Sequence, residues 1–440
     1  MLETTASSTD EAQPSARASA LYRIIWKWHF LAALYVLPFV LLLSVTGGIY
    51  LFKPQIEEFI YYDRLNVTVQ GEQQSLETQQ AAVLAAAPNA RIRSITTSQQ
   101  AGRSTIFEIQ DKSHGRAYAW VNPYNADVLH IQSRDSTLMH QLKKLHGELL
   151  LGKSGTKFVE LAAQWTLVMF ITGLYLWWPR SRSWTQVFQL PQGQGRAWWK
   201  QTHLLSGVFA SLLIIPLLLS GLPWTDVWGG SLSYIQKQTG QSSPSLRFGG
   251  KPPQSTVIDG QAPIPYQQVI NTAIAQGLVA PYEMRLPKDK QGSYWIRSAS
   301  KDRWQQNELL IDQYSGKLLK RINFSDYPIV AKAVSVGISF HQGELYGWAN
   351  LAQNVLASLL GIVIAVSGFA AWWIRRPSGS LGVPRAPLRS LSHGMVVLII
   401  ALSLFLPLMG ASILVAITLD WLLFKKLGWF QSHTAPNVTT

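Results

Sequence analysis

Long apolar runs alternate with polar stretches along this chain, and five of the runs are long enough to cross a bilayer. They are Leu31–Phe52, Val159–Trp178, Leu204–Leu222, Leu351–Ile374 and Met395–Leu414, each near the ~17–25 residues that carry a helix through the hydrocarbon core. A helix is the expected form, because backbone groups facing lipid must find their hydrogen bonds within the segment. Between the first and second runs, and again between the third and fourth, the pattern changes. An amphipathic stretch predicts a helix over 76–87, and alternating runs at 91–97, 104–110 and 117–122 predict strands. The second interval repeats that order, with a helix over 266–276 and strands over 282–286, 293–298 and 308–312. Each last strand enters a turn built from Asn, Pro, Asp, Ser or Gly and continues beyond it, at 121–129 and 311–319. The expected fold is an α-helical membrane protein with about five transmembrane helices and two external α+β domains.

The recurrence extends to single residues. Leu145–Arg180 and Phe340–Pro377 each open with a histidine and a Gly-Glu-Leu, cross an apolar run and close on glycine, two tryptophans and arginine. His146 to Gly173 spans 27 residues, as does His341 to Gly368, and the Trp177-Trp178 and Trp372-Trp373 pairs keep the same register. Shared spacing of polar landmarks over such a distance points to internal duplication. A looser echo links Trp26-Lys27-Trp28-His29 to Trp198–His203. His29 lies 18 residues before Gly47 and His203 lies 18 before Gly221. One half is then a histidine, a span out, an external domain, a second histidine and a span back.

Composition agrees with a membrane protein: 48% of residues are hydrophobic and 14% charged, against ~25% charged in a soluble domain. The net charge of +14 does not indicate nucleic acid, because of where it falls. The short connection Pro179–Lys200 carries Arg180, Arg182, Arg196 and Lys200 without an acid, and Arg375–Ser392 carries Arg375, Arg376, Arg385 and Arg389 likewise. Such loops face the cytoplasm, which puts the two longer connections outside. The predicted organisation is a disordered cytoplasmic N-terminus (1–20), a first span (21–52), an external domain (53–140), a second span with its outer histidine (141–180) and a cytoplasmic loop (181–200). A third span (201–222), a second external domain (223–335), a fourth span (336–377), a loop (378–391), a fifth span (392–415) and an interfacial tail (416–440) follow. The expected location is the bacterial inner membrane, with both domains in the periplasm. Absence of cysteine excludes Cys-ligated iron–sulfur clusters and thiolate haem ligation. No phosphate-binding Gly loop or His-Glu-x-x-His helix is present.

The Asp-x-x-Ser-Gly-Lys-Leu-Leu turn at 312–319, after a helix and short strands, resembles the PepSY module. The spans bearing His29, His146, His203 and His341, with their Gly and Trp-Trp ends, resemble the PepSY-associated transmembrane family over roughly residues 20–415. The first copy departs from the turn pattern, with Asn122-Pro123 and Asn125-Ala126-Asp127. Iron-regulated members of that family include inner-membrane siderophore reductases with b-type haem. The resemblance implies such a reductase, with about two b haems, a ferric siderophore as acceptor and a quinol or cytoplasmic reductase as donor.

Imidazole is the usual protein ligand of haem iron, and two facing imidazoles saturate it for electron transfer. If the halves pack about a pseudo-twofold axis, His146 faces His341 near the outer surface and His29 faces His203 near the inner one. His393, beside the fifth span, competes for the inner position. The plainer reading makes each histidine an interfacial anchor among tryptophans and lysines; equivalent placement in both halves argues for ligands. His140 has no counterpart and is assigned to the surface. Glu148 and Glu344 either orient the nearby imidazoles or form helix-end ion pairs. Gly47, Gly173, Gly221 and Gly368 permit close approach of a helix or a porphyrin face. No catalytic residue is assigned. Two other functions compete: a membrane protein whose PepSY domains bind peptides or restrain a protease, and a haem electron carrier serving another enzyme.

Overall fold

The computed structural model describes residues 13–98, 100–180, 183–244, 253–384 and 392–422. Its first half begins with α1 (Gln13–Tyr50), the short helices α2 (Lys53–Ile60) and α3 (Tyr62–Leu65), and α4 (Leu76–Ala86). Four strands follow, β1 (Arg91–Thr97), β2 (Thr105–Asp111), β3 (Gly115–Val121) and β4 (Val128–Ser133), then α5 (Leu138–Glu148) and α6 (Lys153–Trp177). After the short α7 (Trp184–Val187), the second half repeats the plan. It comprises α8 (Gly195–Gly221), α9 (Val227–Gln238), α10 (Tyr266–Ala275), strands β5 (Tyr282–Arg285), β6 (Ser293–Ser298), β7 (Asn307–Asp312) and β8 (Leu318–Asn323), then α11 (Ile329–His341) and α12 (Trp348–Arg375). The chain continues through α13 (His393–Phe405) and α14 (Pro407–Asp420).

Among the described residues, four helical segments are long and apolar enough to cross a membrane: Ala20–Tyr50, Lys153–Trp177, Gly195–Trp224 and Trp348–Arg375. The fifth expected span is broken. Proline lacks an N–H and disfavours helical geometry in the residue before it, and Leu406 accordingly leaves the helix at φ −118°, ψ 77°. The chain then folds back so tightly that a Cβ on Gly410 would lie 2.7 Å from the Cβ of Ser403. Helices of 13 and 14 residues reach only about 20 Å each, so α13 and α14 form a short hairpin instead of a span. The expected N-terminal disorder is also corrected in part, because residues 13–20 already belong to α1; residues 1–12 lie outside the described residues. So do 423–440 of the expected tail, 385–391 of the second loop and 181–182 of the first.

The two α+β domains expected from the sequence form one sheet. Its order is β4-β3-β2-β1-β5-β6-β7-β8, antiparallel throughout, and the halves meet where β1 pairs with β5 from Ser94↔Arg285 to Thr97↔Tyr282. Each of these strands would otherwise expose a row of unpaired backbone groups, and pairing removes both edges. Helices α4 and α10 lie together over one face, where Glu77 accepts from the Tyr266 amide at 2.6 Å. Alternate strand positions point into the core, so Ile95, Phe107, Ile109, Met284, Ile296, Leu309 and Ile311 are almost fully buried. Both hairpin turns rest on a side-chain acceptor. Asn122 Oδ1 takes the Tyr124 amide, whereas Asp312 takes those of Tyr314, Ser315 and Thr256.

Below the sheet, α1 packs on α6, α8 on α12, and the halves join through α1 with α12 and α6 with α8. This four-helix bundle carries His29 on α1 and His203 on α8, while His146 lies at the end of α5, packed on α1, and His341 at the end of α11, packed on α8.

Candidate functional site

Each of the four histidines meets a partner helix of its own half in the same way. The ring edge of His146 faces Gly47, and that of His341 faces Gly221; a Cβ on these glycines would lie 3.0 and 3.1 Å from the respective Cε1 atoms. At the other end of the bundle His29 lies against Gly173 and His203 against Gly368, with the corresponding distances 3.3 and 3.0 Å. Any side chain at these glycines would push into an imidazole, so the slots exist because the residues are glycine.

The Nδ1 atoms are held one turn away. His203 donates to the Ile364 carbonyl at 3.0 Å and His341 to the Leu217 carbonyl at 2.9 Å, with Ser220 Oγ at 3.3 Å. Carbonyl oxygen only accepts, so these two rings carry their proton on Nδ1. The first-half rings contact hydroxyls instead: His29 meets Thr172 Oγ1 and His146 meets Thr46 Oγ1, both at 3.0 Å. Each hydroxyl already donates to its own helix, Thr172 to Val168 and Thr46 to Leu42. With its one proton committed, each threonine must accept from the imidazole. All four histidines thus direct Nδ1–H at a protein acceptor, which leaves Nε2 as the nitrogen through which a neutral imidazole would bind a metal.

The rings form two layers. His146 and His341 have centroids 6.4 Å apart with planes at 72°, and Trp224 stands edge-on to His341 at 5.2 Å. At the opposite end His29 lies within electrostatic reach of His203. His29 and Gly47 share α1 and are eighteen residues apart, which separates the layers by about 27 Å along the helix.

The structure brings His146 ring to ring with His341 and sets His29 and His203 together at the opposite end of the bundle. His393 is exposed at the start of α13, which packs on α14, and is not brought into the inner layer as the competing assignment required. His140 bonds to Asp135 at 2.9 Å, a surface pair as expected. Neither glutamate holds a ligand Nδ1. Glu344 pairs with Lys301 at 3.5 Å, and the Nδ1 partner of His146 is Thr46.

The family model for the PepSY-associated TM region matches residues 26–375. The chain belongs to the PepSY-associated transmembrane family. A comparison with curated proteins finds no match.

In this family member several residues around the histidines escaped the sequence reading. Thr46, Thr172, Ser220 and Ser367 each precede one of the four glycines, and this fourfold Ser/Thr-Gly dipeptide was the available signal. Asn350 and Asn354, one turn apart on α12, hold the end of α11. Asn354 donates to the Phe340 and His341 carbonyls, and Asn350 accepts from the Leu345 amide. On α6, Glu160 and Gln164 are likewise one turn apart and fully buried. Polar pairs at i, i+4 inside apolar spans are the signal for both.

Whether these residues suit a haem can be tested on the donor set. Among the described residues no group of three or more His, Asp or Glu could hold a metal ion. Each layer offers two imidazoles, so the remaining ligands would have to come with the metal, as the four nitrogens of a porphyrin do. Two imidazoles on one metal, at bonds of about 2 Å, place their centroids roughly 6 Å apart, close to the 6.4 Å seen for His146 and His341. The His146–His341 pair fits the group on this spacing.

Proposed function

We propose that this protein is an inner-membrane haem-b reductase that carries electrons across the bilayer to ferric siderophores in the periplasm. The observation that supports it is the fourfold arrangement: two histidines at each end of the bundle, each ring seated on a glycine with its Nδ1 turned to a protein acceptor, and His146 ring to ring with His341. In this reading His146 and His341 would hold one haem and His29 and His203 the other. Haem supplies a one-electron couple when bound.

The chain's own residues do the rest. Glycines 47, 173, 221 and 368 admit the rings, and the threonine hydroxyls and helix carbonyls fix the tautomer. Bundle packing then holds the layers on opposite sides of the membrane. Electrons enter from a quinol or a cytoplasmic reductase at the His29/His203 end. At the outer end one electron converts chelated Fe(III) to Fe(II), which hard oxygen ligands hold less well.

The test is an absorption spectrum of the purified protein, oxidised and dithionite-reduced, with haem quantified per chain. Two haems per chain with low-spin b-type bands are expected. His146→Ala, His341→Ala and Gly47→Leu should each remove about one of the two, since imidazole ligands and their slots are both required. A colourless protein expressed with ample haem would sink the proposal and favour a peptide-binding role. A haem protein that reduces ferric siderophores no faster than unrelated acceptors would be an electron carrier.

A further inference from the structure

The second half of the sheet domain has an open cavity on its surface. It measures about 500 Å³ and lies between β7, β8 and the start of α11, lined by Trp304, Asn307, Arg321, Asn323, Phe324 and Lys332. Two features of its wall are unusual for a domain surface. Trp304 is 62% exposed, its ring 6.0 Å from Phe324 at 71°, so an aromatic corner stands open. Arg321 and Lys332 have no ion-pair partner among the described residues. Arg321 makes its hydrogen bond to the neutral Asn323. Asp326, in the same turn, is engaged by the Asn323 amide and the Ser325 hydroxyl.

The equivalent surface in the first half, at the end of β4, is neutralised. Arg134 and Arg116 both point at Glu108, and Asp135 pairs with His140 and Lys144. Two unpaired cations beside an open aromatic corner therefore occur in one copy of a duplicated fold, which a generic feature of the fold would not do.

The cavity is also tied to a histidine. Lys332 and His341 stand on the same helix, nine residues and so about 14 Å apart. The loop that carries Trp304 is fastened to the far end of that helix. Arg303 donates to Ser339 at 3.1 Å and Lys301 pairs with Glu344. A ligand in the cavity would thus sit at a fixed distance from the outer histidine layer.

We infer that this cavity binds an anionic, ring-bearing ferric chelate of the tris-catecholate type, its charge met by Arg321 and Lys332 and a ring plane by Trp304. Guanidinium and ammonium supply charge-assisted hydrogen bonds to chelate oxygens, and an aromatic pair supplies stacking surface. The assignment of the ligand's metal rests on the reductase reading above; the anion site itself rests on the cavity.

The redox-inert Ga(III) tris-catecholate complex separates the two. It is titrated calorimetrically against full-length protein in phosphatidylcholine nanodiscs, with haem measured on the same samples. Wild-type protein is expected to bind it, and Arg321→Gln and Lys332→Gln to weaken binding roughly tenfold each. Trp304→Ala should weaken it as well, and being exposed it can be shortened without disturbing the core. The first-half control Arg134→Gln should bind as wild type does. Unchanged affinity in Arg321→Gln, Lys332→Gln and Trp304→Ala would overturn the assignment. Loss of wild-type binding when phosphatidylglycerol is added to the discs would overturn it in favour of a lipid headgroup. Binding by a preparation that never takes up haem would uphold the anion site while removing the reductase reading, and haem without binding would do the reverse.

Discussion

His146 and His341 occupy equivalent places, yet the two halves hold them by different chemistry. In the first half α5 ends in two left-handed leucines, Leu149 at φ 52° and Leu150 at φ 59°, and Gly155 of α6 packs directly under the Glu148 carbonyl. In the second half the register places Asn350 where the first has Gly155, and Asn354 where it has Val159. There the asparagine amides take the loose carbonyls of α11. A helix end needs its last carbonyls satisfied, and the duplicated chain has met that need once by close backbone approach and once by side-chain hydrogen bonds. The placement of the two imidazoles is thus constrained more tightly than the means of supporting it.

The largest effect should come from breaking the close approach. A Cβ at position 155 would lie 1.7 Å from the Glu148 oxygen, a distance no side-chain adjustment relieves, so Gly155→Ala must open the joint between α5 and α6. Displacement of His146 is expected, and under the haem proposal the haem-to-protein ratio should fall by about one. Asn354→Ala in the other half leaves buried carbonyls unpaired but creates no clash. It should retain haem and lower the thermal midpoint, at a cost of about 1–3 kcal/mol. Equal behaviour of the two variants would mean the supports do not differ as described.

A second contrast lies on the outward faces of α6 and α12. Glu160 accepts from the Val227 and Trp228 amides at 2.9 and 2.8 Å, so its carboxylate sits at the first turn of α9 where the helix dipole favours negative charge. It also accepts from Gln164, whose own oxygen takes the Met409 amide at the start of α14. The same register places Val355 and the exposed Leu359 at these positions in the second half, where no hairpin covers the span. Glu160→Leu removes the acceptor of two backbone amides at about 1–3 kcal/mol each. A drop in thermal midpoint and faster proteolysis at α9 and the α13–α14 hairpin are expected, with Glu160→Gln intermediate. A Glu160→Leu protein as stable as wild type would show that the α9 contact is incidental.

Much of this was legible in the chain. The helices and strands of the sheet domain fall within a residue or two of their periodic patterns, since period 2 and period 3.6 are local signals. The facing histidines followed from the duplication. The β1–β5 joint did not, because strand pairing between distant segments leaves no local period. The fifth apolar run misled because hydropathy averages over Pro407, which breaks the helix without lowering the mean. Glu160 and the asparagines were masked in the same way, each a single polar residue in a span that is apolar on average. The unpaired state of Arg321 and Lys332 depends on where acids from other elements fall, which composition cannot express.

The smallest difference tests the two turns. Burial pushes the Asp312 carboxyl up, but the amides of Ser315, Thr256 and Tyr314 outweigh it and hold the group below the ordinary carboxylate range. A carboxylate whose folded value is depressed stabilises the protein above its unfolded value and loses that contribution as pH falls through the folded one. Asp312→Asn gives the second turn the neutral acceptor that Asn122 provides in the first. At neutral pH the variant should be less stable by about 1 kcal/mol. That gap should close as the pH falls through the depressed folded value of Asp312, where the wild-type carboxylate takes up its proton. Asn122→Ala, which loses the Tyr124 amide contact alone, should show no such pH dependence. Parallel melting curves across the acid range check both, and a gap between Asp312→Asn and wild type that persists unchanged into acid would mean the charge at Asp312 is not what the second turn uses.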